Sequence, residues 1–122
     1  MRREQRLRKS SDFTVVVKRG RSWSNRLLVL AVRPNGIEFS RFGFSVGKRV
    51  GISVVRNKVK RRLRELTRGV EPKNSYDVVF IARKDAGEAT YDELAASANT
   101  LLERAGLLRR VEQTDKAGEQ GS

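Results

Sequence analysis

Residues Arg56 to Arg64 read Arg-Asn-Lys-Val-Lys-Arg-Arg-Leu-Arg, a density of positive charge matched nowhere else in the chain. A solubility patch needs no pattern, but here Val55, Val59, Leu63 and Leu66 recur at helical spacing beneath the cations. At about 100° per residue these four fall within an arc of roughly 80°. Arg56, Lys60, Arg64, Asn57, Arg68 and Arg61 fill an adjoining arc of roughly 140°. The stretch therefore predicts one helix with an apolar side to pack down and a cationic side to present. Glu65 stands one turn from both Arg61 and Arg68, where it can hold a guanidinium in place.

The surroundings extend this reading. From Arg41 to Arg68 there are ten Lys or Arg against Glu65 alone, in a chain of net charge +13 and pI near 11.2. Self-repulsion on that scale is relieved by a polyanionic partner, with nucleic acid ahead of an acidic membrane surface. At 122 residues and 38% hydrophobic content, the chain is expected to form one domain over residues 1–111 around a single core. A polar tail from Glu112 to Ser122 is expected to be disordered. The absence of Cys removes disulfides, zinc ribbons and thiol chemistry, and the absence of His removes the usual general base. No apolar run approaches the length of a membrane span and the basic N-terminus lacks a following apolar region, so a cytoplasmic protein is expected.

Elements follow from local signals. Met1 to Lys9 is a charged lead-in, and Ser10 or Ser11 with Asp12 offers a cap for a short helix with Phe13, Val16 and Val17 on one face, stopped by Gly20. Leu27 to Val32 and Arg41 to Val46 read as strands joined through Pro34-Asn35-Gly36 and expected to be antiparallel neighbours. Gly36 to Ser40 gives only a faint further strand signal. Gly47 to Gly51 is a basic loop feeding the cationic helix, whose expected cap is Ser53 and whose end is expected near Gly69. Tyr76 to Ala82 is continuous enough to be a central, buried strand. Thr90-Tyr91-Asp92-Glu93 has the form of a capping box, opening a helix with Leu94, Ala98, Leu101, Leu102, Ala105 and Leu108 along one side. Trp23, Tyr76 and Phe80 are read as packing residues.

With these residues in view, the chain resembles the protein subunit of bacterial ribonuclease P, the ribonucleoprotein that removes the 5′ leader from precursor tRNA. That family's basic helix has the form R-N-x-[apolar]-K-R-x-x-[R/K], filled here in register by Arg56, Asn57, Val59, Lys60, Arg61 and Arg64. Phe44-Ser45-Val46-Gly47-Lys48-Arg49 resembles the strand and loop before it. Asp12-Phe13, Asn25-Arg26, Tyr76-Asp77, Ile81-Ala82-Arg83 and Thr90 to Glu93 follow in the family's order.

The resemblance spans roughly residues 7 to 110 and implies an α+β fold in the order α-β-β-β-α-β-α, a sandwich with a mixed sheet and a left-handed βαβ crossover. It implies two surfaces. Arg56, Asn57, Lys58, Lys60, Arg61, Arg64 and Arg68, extended by Lys48 and Arg49, would face the catalytic RNA. A cleft between the first helix and the sheet, lined by Phe13 and Val17, would hold the leader of precursor tRNA. Cleavage would be carried by the RNA subunit with its bound Mg2+, with no catalytic residue in this chain and no obligate protein partner.

Four positions depart from the pattern. Ser53 replaces a usual Ala, and Lys58 replaces an Arg and with it bidentate geometry. Val17 and Ala31 stand where some members carry aromatics, which implies fewer stacked leader bases.

Other classes are weighed on the same residues. A helix-turn-helix regulator needs two adjacent helices, whereas this basic helix is flanked by predicted strands. A protein nuclease needs clustered acids or His, and Asp12, Asp77, Asp85, Asp92 and Glu93 are scattered over several elements. A ribosome-associated or other structural RNA-binding protein is not separated by charge alone.

Overall fold

The computed structural model describes residues 6–7, 10–70 and 75–107. Its elements run α1 (Ser10–Arg19), β1 (Arg21–Ser24), β2 (Leu28–Pro34), β3 (Arg41–Val46), α2 (Ser53–Thr67), β4 (Tyr76–Ala82) and α3 (Tyr91–Arg104). Short 3₁₀ turns at Lys48–Val50 and Lys84–Glu88 precede α2 and α3. The order is the expected α-β-β-β-α-β-α. The tail from Glu112 and the last apolar position, Leu108, lie outside the described residues.

One sheet of four strands, in the order β1-β2-β4-β3, separates two cores. Alternation along β4 explains them: Val78, Phe80 and Ala82 face α2 and α3, whereas Val79 and Ile81 face α1. The larger core joins Leu28, Leu30, Phe80, Leu63, Leu94 and Leu101, all fully buried. The half-buried Phe44 packs against it on Phe80, its register partner across β3 and β4, with nearly parallel rings and centroids 6.5 Å apart. The smaller core seats α1 through Val16, which is 1% exposed, on Ala31 and Val79.

β4 is central and buried, as its continuous apolar run predicts, and it pairs antiparallel with β2 and parallel with β3. This corrects the expectation that β2 and β3 are neighbours. They do run antiparallel to each other, but β4 lies between them. Residues 35–40 form no hairpin and no strand; six residues reach about 20 Å, ample to cross two strand spacings of about 4.8 Å each. The most apolar strand takes the place where both its edges and both its faces are hidden.

The third strand is instead β1, Arg-Ser-Trp-Ser, paired antiparallel with β2. It is an edge strand whose half-buried Trp23 packs on the larger core, with the Arg21 guanidinium 5.3 Å from the centroid of its ring.

Several end signals resolve. α1 begins at Ser10, so Ser11 and Asp12 stand inside its first turn rather than ahead of it, and Asp12 complements the helix's positive end. Ser53 is the first residue of α2 and not its cap. Ile52 holds that place and offers no side-chain bond. On α3 the capping box is complete: the Glu93 amide donates to the Thr90 hydroxyl at 3.1 Å, and the Thr90 amide donates to the Glu93 carboxylate at 2.9 Å. Part of the N-terminal lead-in is structural, because Leu7 is buried and its amide donates to the Phe42 carbonyl at 2.9 Å.

Candidate nucleic-acid interface

The apolar stripe of α2 packs as its spacing predicts. Val59 and Leu63 are fully buried, and Val55 and Leu66 are half-buried against the same core. Thr67 joins them at 1% exposure, its hydroxyl donating to the Leu63 carbonyl at 2.9 Å. With that side fixed, the opposite side has no freedom to turn away from solvent. Asn57, Arg61, Arg64 and Arg68 are exposed and Lys60 is half-buried at the flank. Lys48 and Arg49 are exposed on the preceding 3₁₀ turn, which Val50 pins to the core. Gly51 permits the passage into α2: its φ is 156°, and a Cβ there would lie 2.9 Å from the Val55 side chain.

The cations of this run are not equivalent. Arg56 folds back along the helix start, donating to the Gly51 carbonyl and to the Ser53 hydroxyl, each at 3.1 Å. Arg62 donates to the Ala89 carbonyl at 3.0 Å, which ties α2 to the segment before α3. Arg68 pairs with Glu65 at 3.4 Å, with both side chains more than half exposed. The side chains of Lys48, Arg49, Lys58, Lys60, Arg61 and Arg64 pair with no other described residue. Lys58 falls outside the main cationic arc, on the flank it shares with Arg62. The exposed Asn57 amide also has no described partner, so neither capping nor packing accounts for an Asn in mid-helix.

Arg41 belongs to a different structure. It donates two bonds to Asp77, at 2.8 and 2.7 Å, and Asn35 donates a third to the same carboxylate at 3.0 Å. These bonds to Asp77 hold the guanidinium above its ordinary value against the opposing effect of burial. Arg41 thus stays charged, with that charge paired to Asp77 at the end of the sheet.

The cleft lies where α1 crosses the sheet. It encloses about 220 Å³ lined by Phe13, Thr14, Val17, Lys18, Ser45, Val79 and Ile81. Of the predicted helix face, Val16 is the buried anchor, whereas Phe13 is half-buried and Val17 is 44% exposed at the rim. Phe13 fits because Gly43 beneath it has no side chain; a Cβ there would come within 2.5 Å of the ring. Ala31 is buried in the small core below α1 and does not line the cleft.

A second hollow of about 440 Å³ shares the Phe13 wall and runs along the β3 edge to Lys60 and Arg64 of α2. Arg6, Leu7, Phe42, Gly43 and Phe44 complete its lining. Sequence reasoning names Phe13, Val17, Lys60 and Arg64, and misses Arg6, Lys18 and Ser45. Lys18 carries a readable signal, since it lies one turn after Thr14 beside Phe13 and Val17. Arg6 carries none, because its place depends on the lead-in docking to β3.

Among the described residues no three acidic side chains converge on a point that could hold a metal ion. No described helix is long and apolar enough to cross a membrane. These features define a class: an α+β domain that presents unpaired cations on a fixed helix beside an aromatic-walled cleft.

Comparison with known proteins is specific. The family described as Ribonuclease P matches residues 1–106. The ribonuclease P protein component of Clostridium novyi is 46% identical over 111 residues, covering 88% of this chain and 98% of that protein. That of Clostridium botulinum is 44% identical over 108 residues, covering 86% and 97%. Among solved structures, the RNase P protein of Staphylococcus aureus superposes with a TM-score of 0.78 at 32% identity, covering 86% of this chain and 98% of that one. The RNase P protein of Thermotoga maritima gives 0.72 at 37%, covering 81% and 96%. The chain belongs to the ribonuclease P protein family, and the ribosomal-type alternative left open by charge is set aside.

Proposed function

We propose that this chain is the protein subunit of a ribonuclease P holoenzyme, binding the catalytic RNA through α2 and the 5′ leader of precursor tRNA through the α1 cleft. The observation that carries this reading is adjacency. Lys60 and Arg64, without a side-chain partner among the described residues, line the same hollow as Phe13, which also lines the cleft. A strand lying in the cleft therefore passes directly beside the cations that face the RNA. Family membership supplies the ribonucleoprotein setting.

The division of labour follows from the chemistry present. Guanidinium forks and ammonium groups fix phosphates, the Asn57 amide adds a directional contact, and Phe13 offers a stacking face. None of these abstracts a proton at neutral pH, and the chain has no His or Cys to do so. In this reading the endonucleolytic cut that matures the tRNA 5′ end, and the Mg2+ that serves it, belong to the RNA subunit. The protein works in the cytoplasm, where such an RNA resides.

Stacking on Phe13 contributes about 1 to 3 kcal/mol. Replacing it by alanine is expected to weaken precursor tRNA binding by the assembled holoenzyme while sparing mature tRNA, read by equilibrium binding of both. Equal losses for the two ligands would reduce Phe13 to a packing residue and defeat the assignment of the cleft.

A further inference from the structure

The two most exposed large apolar side chains among the described residues are neighbours in the fold. Ile52 and Val54, each 72% exposed, flank Ser53 at the start of α2. Neither is explained by packing. Ile52 also breaks a local rule, because it occupies the N-cap of α2, where a hydroxyl or amide side chain would bind a free backbone amide and Ile cannot. Such violations gather at functional surfaces.

Their setting is cationic. On the helix Val54 lies one turn before Asn57 and Lys58 and two turns before Arg61, at the head of the outward row. Lys48 and Arg49 stand on the turn just before Ile52, and no acid occurs from Arg41 to Arg64. An occupant of this patch must combine dense negative charge with exposed apolar faces. RNA does so wherever an unpaired base or a shallow minor groove presents base and ribose surface between phosphates.

We infer that Ile52 and Val54 form an apolar contact with nucleotides of the same catalytic RNA that α2 faces, adding a salt-independent component to a cationic interface. This inference rests on the proposed function of α2. Phosphate contacts weaken as salt rises, whereas burial of apolar surface does not, so the two separate experimentally. A hydroxyl at position 52 would also cap the helix, which sets the effects of Ile52→Ser on folding and on binding in opposite directions.

The test measures binding of the full-length protein to labelled ribonuclease P RNA over a range of potassium chloride concentrations. Wild type is compared with Ile52→Ser, Val54→Ser and the double variant, alongside thermal unfolding of each. The double variant is expected to bind about tenfold more weakly at every salt concentration with the wild-type slope, and Ile52→Ser to unfold at or above the wild-type temperature. Wild-type affinity in the double variant, with a steep slope retained, overturns the apolar contact and leaves the reading of α2 standing. A slope near one for wild type defeats that reading and this inference with it. Unchanged RNA affinity with lost binding to phosphatidylglycerol vesicles would assign the patch to lipid and overturn the inference.

Discussion

The missing side chain of Gly43 decides where the ring of Phe13 lies. In Gly43→Ala the new methyl would sit 2.5 Å from the ring and 3.0 Å from the Leu7 Cβ, so the ring must leave the wall it gives to both hollows. Loss of affinity for precursor tRNA several times greater than for mature tRNA is expected, with a stability cost of only about 1 to 2 kcal/mol because the ring can swing. Paired binding and urea unfolding experiments check both halves. Asp77 is the opposite case, holding structure rather than ligand. Asp77→Ala strands Arg41 and Asn35 at the end of the sheet and is expected to cost about 2 to 3 kcal/mol in urea unfolding, with little change in RNA affinity for the folded fraction. Residue type was legible where local geometry acts alone, as in the stripe Val55, Val59, Leu63 and Leu66. It was silent on which cations are free. Arg56 and Arg61 look alike in the chain, and only the fold gives Arg56 the Gly51 carbonyl and leaves Arg61 without a partner among the described residues.

At the scale of elements, α2 is a rigid presenter of charge. Six cations without a partner among the described residues, Lys48, Arg49, Lys58, Lys60, Arg61 and Arg64, predict that log K for the catalytic RNA falls with log salt at a slope of about four to five. Replacing Arg61 and Arg64 together by alanine is expected to lower that slope by about one to two, measured by filter binding over a salt series. An unchanged slope would remove α2 from the phosphate contacts. α3 was legible because its start is written in four consecutive residues, and Thr90→Ala is expected to cost about 1 kcal/mol, a fall of about 4 °C in Tm by calorimetry. β1 was not legible. Arg-Ser-Trp-Ser has one core-facing residue, and its strand identity comes from the edge that β2 offers it.

Over the whole molecule, what the sequence concealed is strand order. Periodicity identifies faces within a segment but not which segments meet, so the hairpin suggested by Pro34-Asn35-Gly36 gave way to the insertion of β4 between β2 and β3. The parallel pairing of β3 with β4 sets α2 against the face opposite α1. It also brings Phe13, from near the start of the chain, beside Lys60 and Arg64. That juxtaposition underlies the proposed path from leader to catalytic RNA, and it is a property of topology alone. The account is tested most directly by adding this protein to a ribonuclease P RNA and precursor tRNA at low magnesium, and measuring the rate of 5′ leader removal. Marked stimulation that requires both RNAs, and that fails when Phe13 or the Arg61 and Arg64 pair is replaced, is the predicted result. A cleavage rate unchanged by the protein would contradict the account.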